Sequence, residues 1–138
     1  MDEKFNNKLY GIDAENFVKD IFEKRDYQVN FVDSFYDFEL IKDNKKIQLE
    51  VKSAVLRYDH NCNRVNWGRF DFTDYQNRKL QIKHNTIYCF VVRVKDYYLL
   101  LGFLKARSLK FKKGLYIKNL ISKHNLKSLG GFEKCYLK

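Results

Sequence analysis

Residues 36–53 read YDFELIKDNKKIQLEVKS, two alternating runs separated by Asp43-Asn44. In the second run Ile47, Leu49 and Val51 fall on one face of a strand and Gln48, Glu50 and Lys52 on the other, because side chains alternate. In the first run Phe38 and Leu40 alternate with Asp37 and Glu39. A two-residue turn at Asp43-Asn44 makes the pair a β-hairpin, which sets Lys42 against Lys45 and, counted back, Asp37 against Glu50. Opposed residues share a face with Cβ atoms ~4.5–5.5 Å apart. Two carboxylates that close destabilise a sheet unless a cation lies between them, and oxygen ligands completed by water are what Mg²⁺ prefers. Lys52, one pleat along, then lies where it can orient or deprotonate an attacking water. A half-solvated antiparallel sheet presents the same polar strip without any chemistry.

Working outward, Tyr10, Ala14, Phe17, Val18, Ile21 and Phe22 follow helical spacing, which predicts an amphipathic helix from about Lys8 to Arg25, with Asn6 or Asn7 as its cap. Tyr27 to Val32 and Tyr36 to Lys42 read as strands, and Lys46 to Ser53 as the next. Residues 54–72 suggest a further hairpin, with 59–63 at its tip and Trp67-Gly68-Arg69-Phe70 on the return. Thr73-x-x-Gln76 fits a capping box for a helix reaching about His84. Thr86 to Val94 and Tyr97 to Leu104 read as two strands joined near Lys95-Asp96, and a last helix is expected over about Leu115 to Leu126, stopped by Gly130-Gly131. The order implies an α/β fold, one mixed β-sheet flanked by helices.

The 138 residues suit a single domain, and 45% hydrophobic content with 12 Phe and 10 Tyr supplies its core. That composition excludes disorder as a description of the whole. The apolar region 87–104 is interrupted by Arg93, Lys95 and Asp96, so no membrane span is expected. The first sixteen residues are polar and mixed in charge, unlike a secretory signal. Cys62, Cys89 and Cys135 are widely spaced without a CxxC pair, which suits neither a disulfide framework nor a zinc site. A reducing, cytoplasmic setting is the expectation. Net charge is +10, of which residues 105–138 carry +9 against a single acidic residue, Glu133. A field clustered in this way attracts polyanions, nucleic acid first, although a solvated lysine-rich tail has the same composition.

A Glu-x-Lys triplet alone means little, since chance supplies roughly one in a chain so rich in lysine. Its context carries more. Gly11-x-x-x-Glu15 on an opening helix, Asp37 on a strand, Glu50-Val51-Lys52-Ser53 on the next and Gln76 opening a later helix together resemble the PD-(D/E)XK nuclease superfamily. The nearest likeness is to archaeal Holliday junction resolvase-like and restriction-endonuclease-like proteins. The resemblance covers about residues 8–104, with 105–138 as a basic extension, and it departs from the pattern at Tyr36, where the family has its nominal Pro. It implies a restriction-endonuclease-like fold and a Mg²⁺-dependent endodeoxyribonuclease, with Mn²⁺ as a substitute. It further implies Asp37, Glu50 and the Val51 carbonyl as metal ligands, Lys52 as the water-activating residue and Glu15 as an auxiliary ligand.

Gln76 has two readings, a place at the site or merely the closing residue of the capping box. Arg57, Arg64 and Arg69 on the second hairpin, with Lys110, Lys112 and Lys113, are candidates for phosphate contact. His60 and Cys62 read as a surface loop, His124 as a packed core residue, and Trp67 as a weak candidate for base stacking. Because breaking two strands takes two sites, a homodimer is expected, with Tyr97, Tyr98 and Phe103 as interface candidates. The expected function is structure-selective hydrolysis of DNA. The alternatives are a restriction or nicking-type nuclease of the same fold and a catalytically silent nucleic-acid-binding module.

Overall fold

The protein is described by a computed structural model covering residues 3–59, 61, 63–109 and 113–136. The chain runs α1 (Glu3–Glu23), β1 (Gln28–Phe31), β2 (Phe38–Lys42), β3 (Lys45–Asp59), β4 (Arg64–Asn66), β5 (Arg69–Asp71), α2 (Tyr75–Lys83), β6 (Ile87–Val94), β7 (Tyr97–Lys105), a 3-10 turn (Ala106–Ser108), β8 (Gly114–Tyr116), α3 (Ile117–Lys123) and α4 (Leu129–Tyr136). The fold is mixed α/β. The main sheet has the order β1-β2-β3-β6-β7, with β4 paired to β3, and β5 and β8 form a separate ribbon. β3 and β6 are parallel, and the other neighbours in the main sheet are antiparallel.

Local chemistry explains the first half of the chain. In α1, Ala14, Val18 and Phe22 recur at i, i+4 and are fully buried. The helix ends where Asp26 takes φ 68° and the Tyr27 N–H reaches back to the Phe22 carbonyl at 3.1 Å, a left-handed closure that turns the chain into β1. Between β2 and β3, Asp43 and Asn44 adopt φ 52° and 64°, the conformation a type I′ hairpin requires, and Lys42 pairs with Lys45. β6 is covered on both faces. Ile87, Cys89 and Val91 join α1, Phe103 and Phe132 in one core, while Tyr88, Phe90 and Val92 join Phe70, Leu115, Ile117 and Leu120 in the other. Such two-sided burial is why its sequence is a continuous apolar run.

Several expectations change. The described helix α1 already begins at Glu3, so Asn6 and Asn7 lie within it. The second hairpin exists, but its return ends at Asn66; Arg69–Asp71 leaves to pair with β8, with Phe70 against Leu115. Helix α2 is capped by Asp74, whose Oδ1 accepts the Asn77 N–H at 3.0 Å, so Thr73 and Gln76 form no capping box. Leu115 belongs to a strand, and α3 stops before His124, where residue 127 pairs instead with Phe103. Gly130 and Gly131 lie inside α4 and do not end a helix. His124 is accordingly a partly buried residue beyond α3 and not a core side chain on it. Phe103 is fully buried and unsuited to an interface, Tyr98 packs on Phe17 with ring centroids 5.5 Å apart, and Tyr97 is 72% exposed on the edge strand β7. No described helix is long and apolar enough to cross a membrane.

Candidate active site

The β2–β3 ladder ends at Phe38 against Leu49, one step short of Asp37 and Glu50. Asp37 therefore does not sit opposite Glu50 as a regular strand residue. Its own N–H still donates to the Leu49 carbonyl at 3.0 Å, and its Oδ2 accepts the Val51 N–H at 2.7 Å. The aspartate side chain takes the place of the next ladder rung and is held against β3 by a charge-assisted hydrogen bond.

Glu15 comes to the same aspartate from α1. Partial burial, the Asp37 charge and a hydrogen bond to Asp37 push its carboxyl up to about 7. On β3, Glu50 is pushed up to about 8, first by burial and then by the Asp37 charge, with Lys52 opposing the shift. Lys52 Nζ lies 3.5 Å from Glu50 Oε2 and donates to the Asp71 carbonyl at 3.2 Å, above the Phe72 ring at 5.0 Å from its centroid. Three carboxyl groups and a lysine, from α1, the residue preceding β2, and β3, thus form one half-buried cluster in which burial and the Asp37 charge raise the Glu15 and Glu50 carboxyls above the usual carboxylate range. Among the described residues no group of three or more His, Cys, Asp and Glu side chains is gathered closely enough to hold a metal ion by side chains alone.

The remaining candidates lie elsewhere. Gln76 is exposed in the first turn of α2. Arg57 and Arg64 are exposed on the β3–β4 hairpin, and Arg69 on β5 pairs with Asp71 at 3.3 Å. Lys113 is exposed, whereas Lys110, Lys112, His60 and Cys62 lie outside the described residues. Trp67 is 39% exposed.

One group beside the cluster was not anticipated. Tyr88 is the β6 partner of Glu50, and its hydroxyl donates to Gln81 Oε1 at 2.6 Å and accepts from Arg78 at 2.8 Å. Arg78 is 2% exposed and also donates to the carbonyls of Ala106 and Leu109 at 2.9 and 3.0 Å. Gln81 Nε2 donates to the Phe35 carbonyl at 2.6 Å, so α2 is bonded both to β6 and to the loop that presents Asp37. The Arg78–Gln81 spacing of i, i+3 on α2 was the available signal, since it puts both side chains on one face. No family model matches this chain, and no curated protein matches it.

Proposed function

We propose that the protein is a Mg²⁺-dependent DNA endonuclease of restriction-endonuclease-like fold, structure-selective in the manner of Holliday junction resolvase-like proteins. The observation that carries this reading is the Asp37 carboxylate accepting the Val51 N–H at 2.7 Å with Glu15 and Glu50 crowded onto it. Support for the fold assignment comes from the hairpin that bears Asp37 and Glu50, the parallel partner β6 and the α1 helix that brings Glu15.

The donor set fits a hard cation. Asp37, just ahead of β2, and Glu50 and the Val51 carbonyl on β3 offer oxygen, and Glu15 reaches the group through Asp37, so fewer than three direct carboxylates are needed when water completes the shell. Mutual repulsion of these carboxylates favours any cation that replaces their shared protons. A bound Mg²⁺ supplies charge stabilisation at a phosphoryl oxygen and lowers the pKa of water. Lys52 is held by Glu50, Asp71 and the Phe72 ring with its Nζ toward the cluster, and it positions the water that attacks phosphorus as the P–O bond on the far side breaks. Tyr88, Gln81 and Arg78 fix the strand and loop that carry these groups.

A second reading, a nucleic-acid-binding module without catalysis, is favoured by the absence among the described residues of a three-side-chain metal group. Incubation with Mg²⁺ or Mn²⁺ and labelled DNAs separates the two: cut strands that disappear in Asp37→Ala support the endonuclease, and retained binding without cutting supports the module. Paired nicks placed symmetrically about a four-way junction, with a dimeric mass in solution, would support the resolvase-like form. Single nicks by a monomer would favour a nicking enzyme.

A further inference from the structure

On the face of the sheet away from α1, the 3-10 turn, β8 and the end of α3 enclose a cleft in two parts. The inner chamber measures about 350 Å³ and has Phe72, Leu109 and Leu115 as apolar walls. The outer chamber, about 520 Å³, is bordered by Lys105 and Lys127. Ser108, Lys123 and His124 line both, so the two chambers adjoin. No acidic residue borders either chamber among the described residues. Arg78 anchors the inner wall through the carbonyls of Ala106 and Leu109, so this end of the cleft is set by a buried network.

We propose that this cleft binds a nucleoside phosphate, with its heterocycle in the inner chamber and its phosphate among Lys105, Lys123 and Lys127. The chamber volumes lie within the ~300–1,000 Å³ of small-ligand sites. An aromatic and aliphatic pocket suits a flat ring, which stacks on or packs against aromatic side chains without regard to its sequence identity. Three ammonium groups and the Ser108 hydroxyl suit a phosphate, and charge-assisted hydrogen bonds to it are the strong kind. A simple inorganic anion leaves the apolar chamber unused, and a neutral apolar ligand leaves the lysines unused. The ligand is either a free mononucleotide or an unpaired nucleotide at the end of a strand, which present the same chemistry. Phe72 connects the cleft to the candidate active site, since Lys52 Nζ lies 5.0 Å from its ring centroid. The nucleotide site itself does not depend on cleavage by that cluster.

The test is titration of the protein with deoxyadenosine monophosphate, deoxyadenosine, inorganic phosphate, and a duplex with and without a single-stranded overhang, followed by calorimetry and by backbone amide shifts. Deoxyadenosine monophosphate should bind at least about tenfold tighter than deoxyadenosine or phosphate, with shifts at Ser108 and Leu115. Lys123→Gln combined with Lys127→Gln should weaken it by roughly tenfold or more. Ser108→Leu, which adds bulk where the two chambers adjoin without changing charge, should weaken the nucleotide more than it weakens inorganic phosphate. Tighter binding of the overhang duplex than of the mononucleotide identifies a strand end as the ligand, and the reverse identifies a free nucleotide. Equal affinity for nucleotide and phosphate, or unchanged affinity in the double-lysine variant with native amide shifts, overturns the proposal. Glu50→Gln should retain nucleotide binding. If the native protein binds the nucleotide and cuts no DNA, the endonuclease reading fails and this site stands.

Discussion

Replacing Glu50 with Gln should make the protein more stable while removing its chemistry. Glu50 is 15% exposed and its carboxyl is raised from 4.5 to about 8, so the native state keeps a proton that the unfolded chain releases near pH 4.5. Below pH 4.5 both states are protonated and this group costs nothing. As pH rises from 4.5 toward 8 the unfolded state binds fewer protons than the native state, so stability falls by about 1.4 kcal/mol per pH unit and then levels off. By pH 7 the accumulated loss is roughly 3 kcal/mol. Glu50→Gln keeps the shape and removes the titration, and the gain at pH 7 corresponds to about 10 °C in melting temperature for a chain of this size. Urea unfolding of both proteins at pH 5, 6, 7 and 8 checks the sign. Curves that nearly coincide at pH 5 and separate in favour of the Gln variant by pH 8 are expected. A separation that does not grow with pH, or a less stable Gln variant at pH 8, would refute the reasoning. If the cluster binds Mg²⁺ as proposed, millimolar Mg²⁺ should stabilise the native protein at pH 7 by more than it stabilises the variant, which has one carboxylate ligand fewer.

Further outcomes follow from the surrounding structure. Gly68→Ala places a Cβ against the Val55 backbone carbonyl and should cost about 3 kcal/mol, read as a lowered urea midpoint with unchanged slope. Arg78→Leu removes the guanidinium donor from the Leu109 carbonyl and the Tyr88 hydroxyl and one of two donors from the Ala106 carbonyl, and a loss of roughly 3 kcal/mol is expected in the same assay. If Arg57, Arg64 and Lys113 contact phosphates, changing all three to Gln should reduce the slope of log affinity against log salt by up to about three; an unchanged slope assigns them to solvent.

The register of the key hairpin was legible because the Asp43-Asn44 turn and the alternation of Phe38, Leu40, Ile47 and Leu49 are both local. That register was enough to bring Asp37, Glu50 and Lys52 together, and helical periodicity added Glu15. Where the ladder stops was not legible, since the substitution of Asp37's side chain for a backbone rung depends on the path of residues 32–36. Capping was ambiguous for a simpler reason: Thr73-x-x-Gln76 and Asp74-x-x-Asn77 have the same spacing, and only geometry separates them. Pairing of β5 with β8 spans some forty-five residues and leaves no periodic trace in either short strand. The buried Arg78 was obscured because an arginine on a short helix reads as exposed unless its buried acceptors, two of them carbonyls near residue 108, are known.

The central claim is that Asp37, Glu50 and Lys52 hydrolyse DNA with the help of a divalent cation. The most direct measurement is strand scission of labelled linear, flapped and four-way DNAs with Mg²⁺ or Mn²⁺, by the native protein and by Asp37→Ala, Glu50→Gln and Lys52→Ala, with DNA binding recorded in parallel. Cation-dependent cutting by the native protein that is lost in all three variants, with binding retained, is the result predicted. Cutting by Asp37→Ala at the native rate, or no cutting of any substrate by a native protein that binds them all, would contradict it.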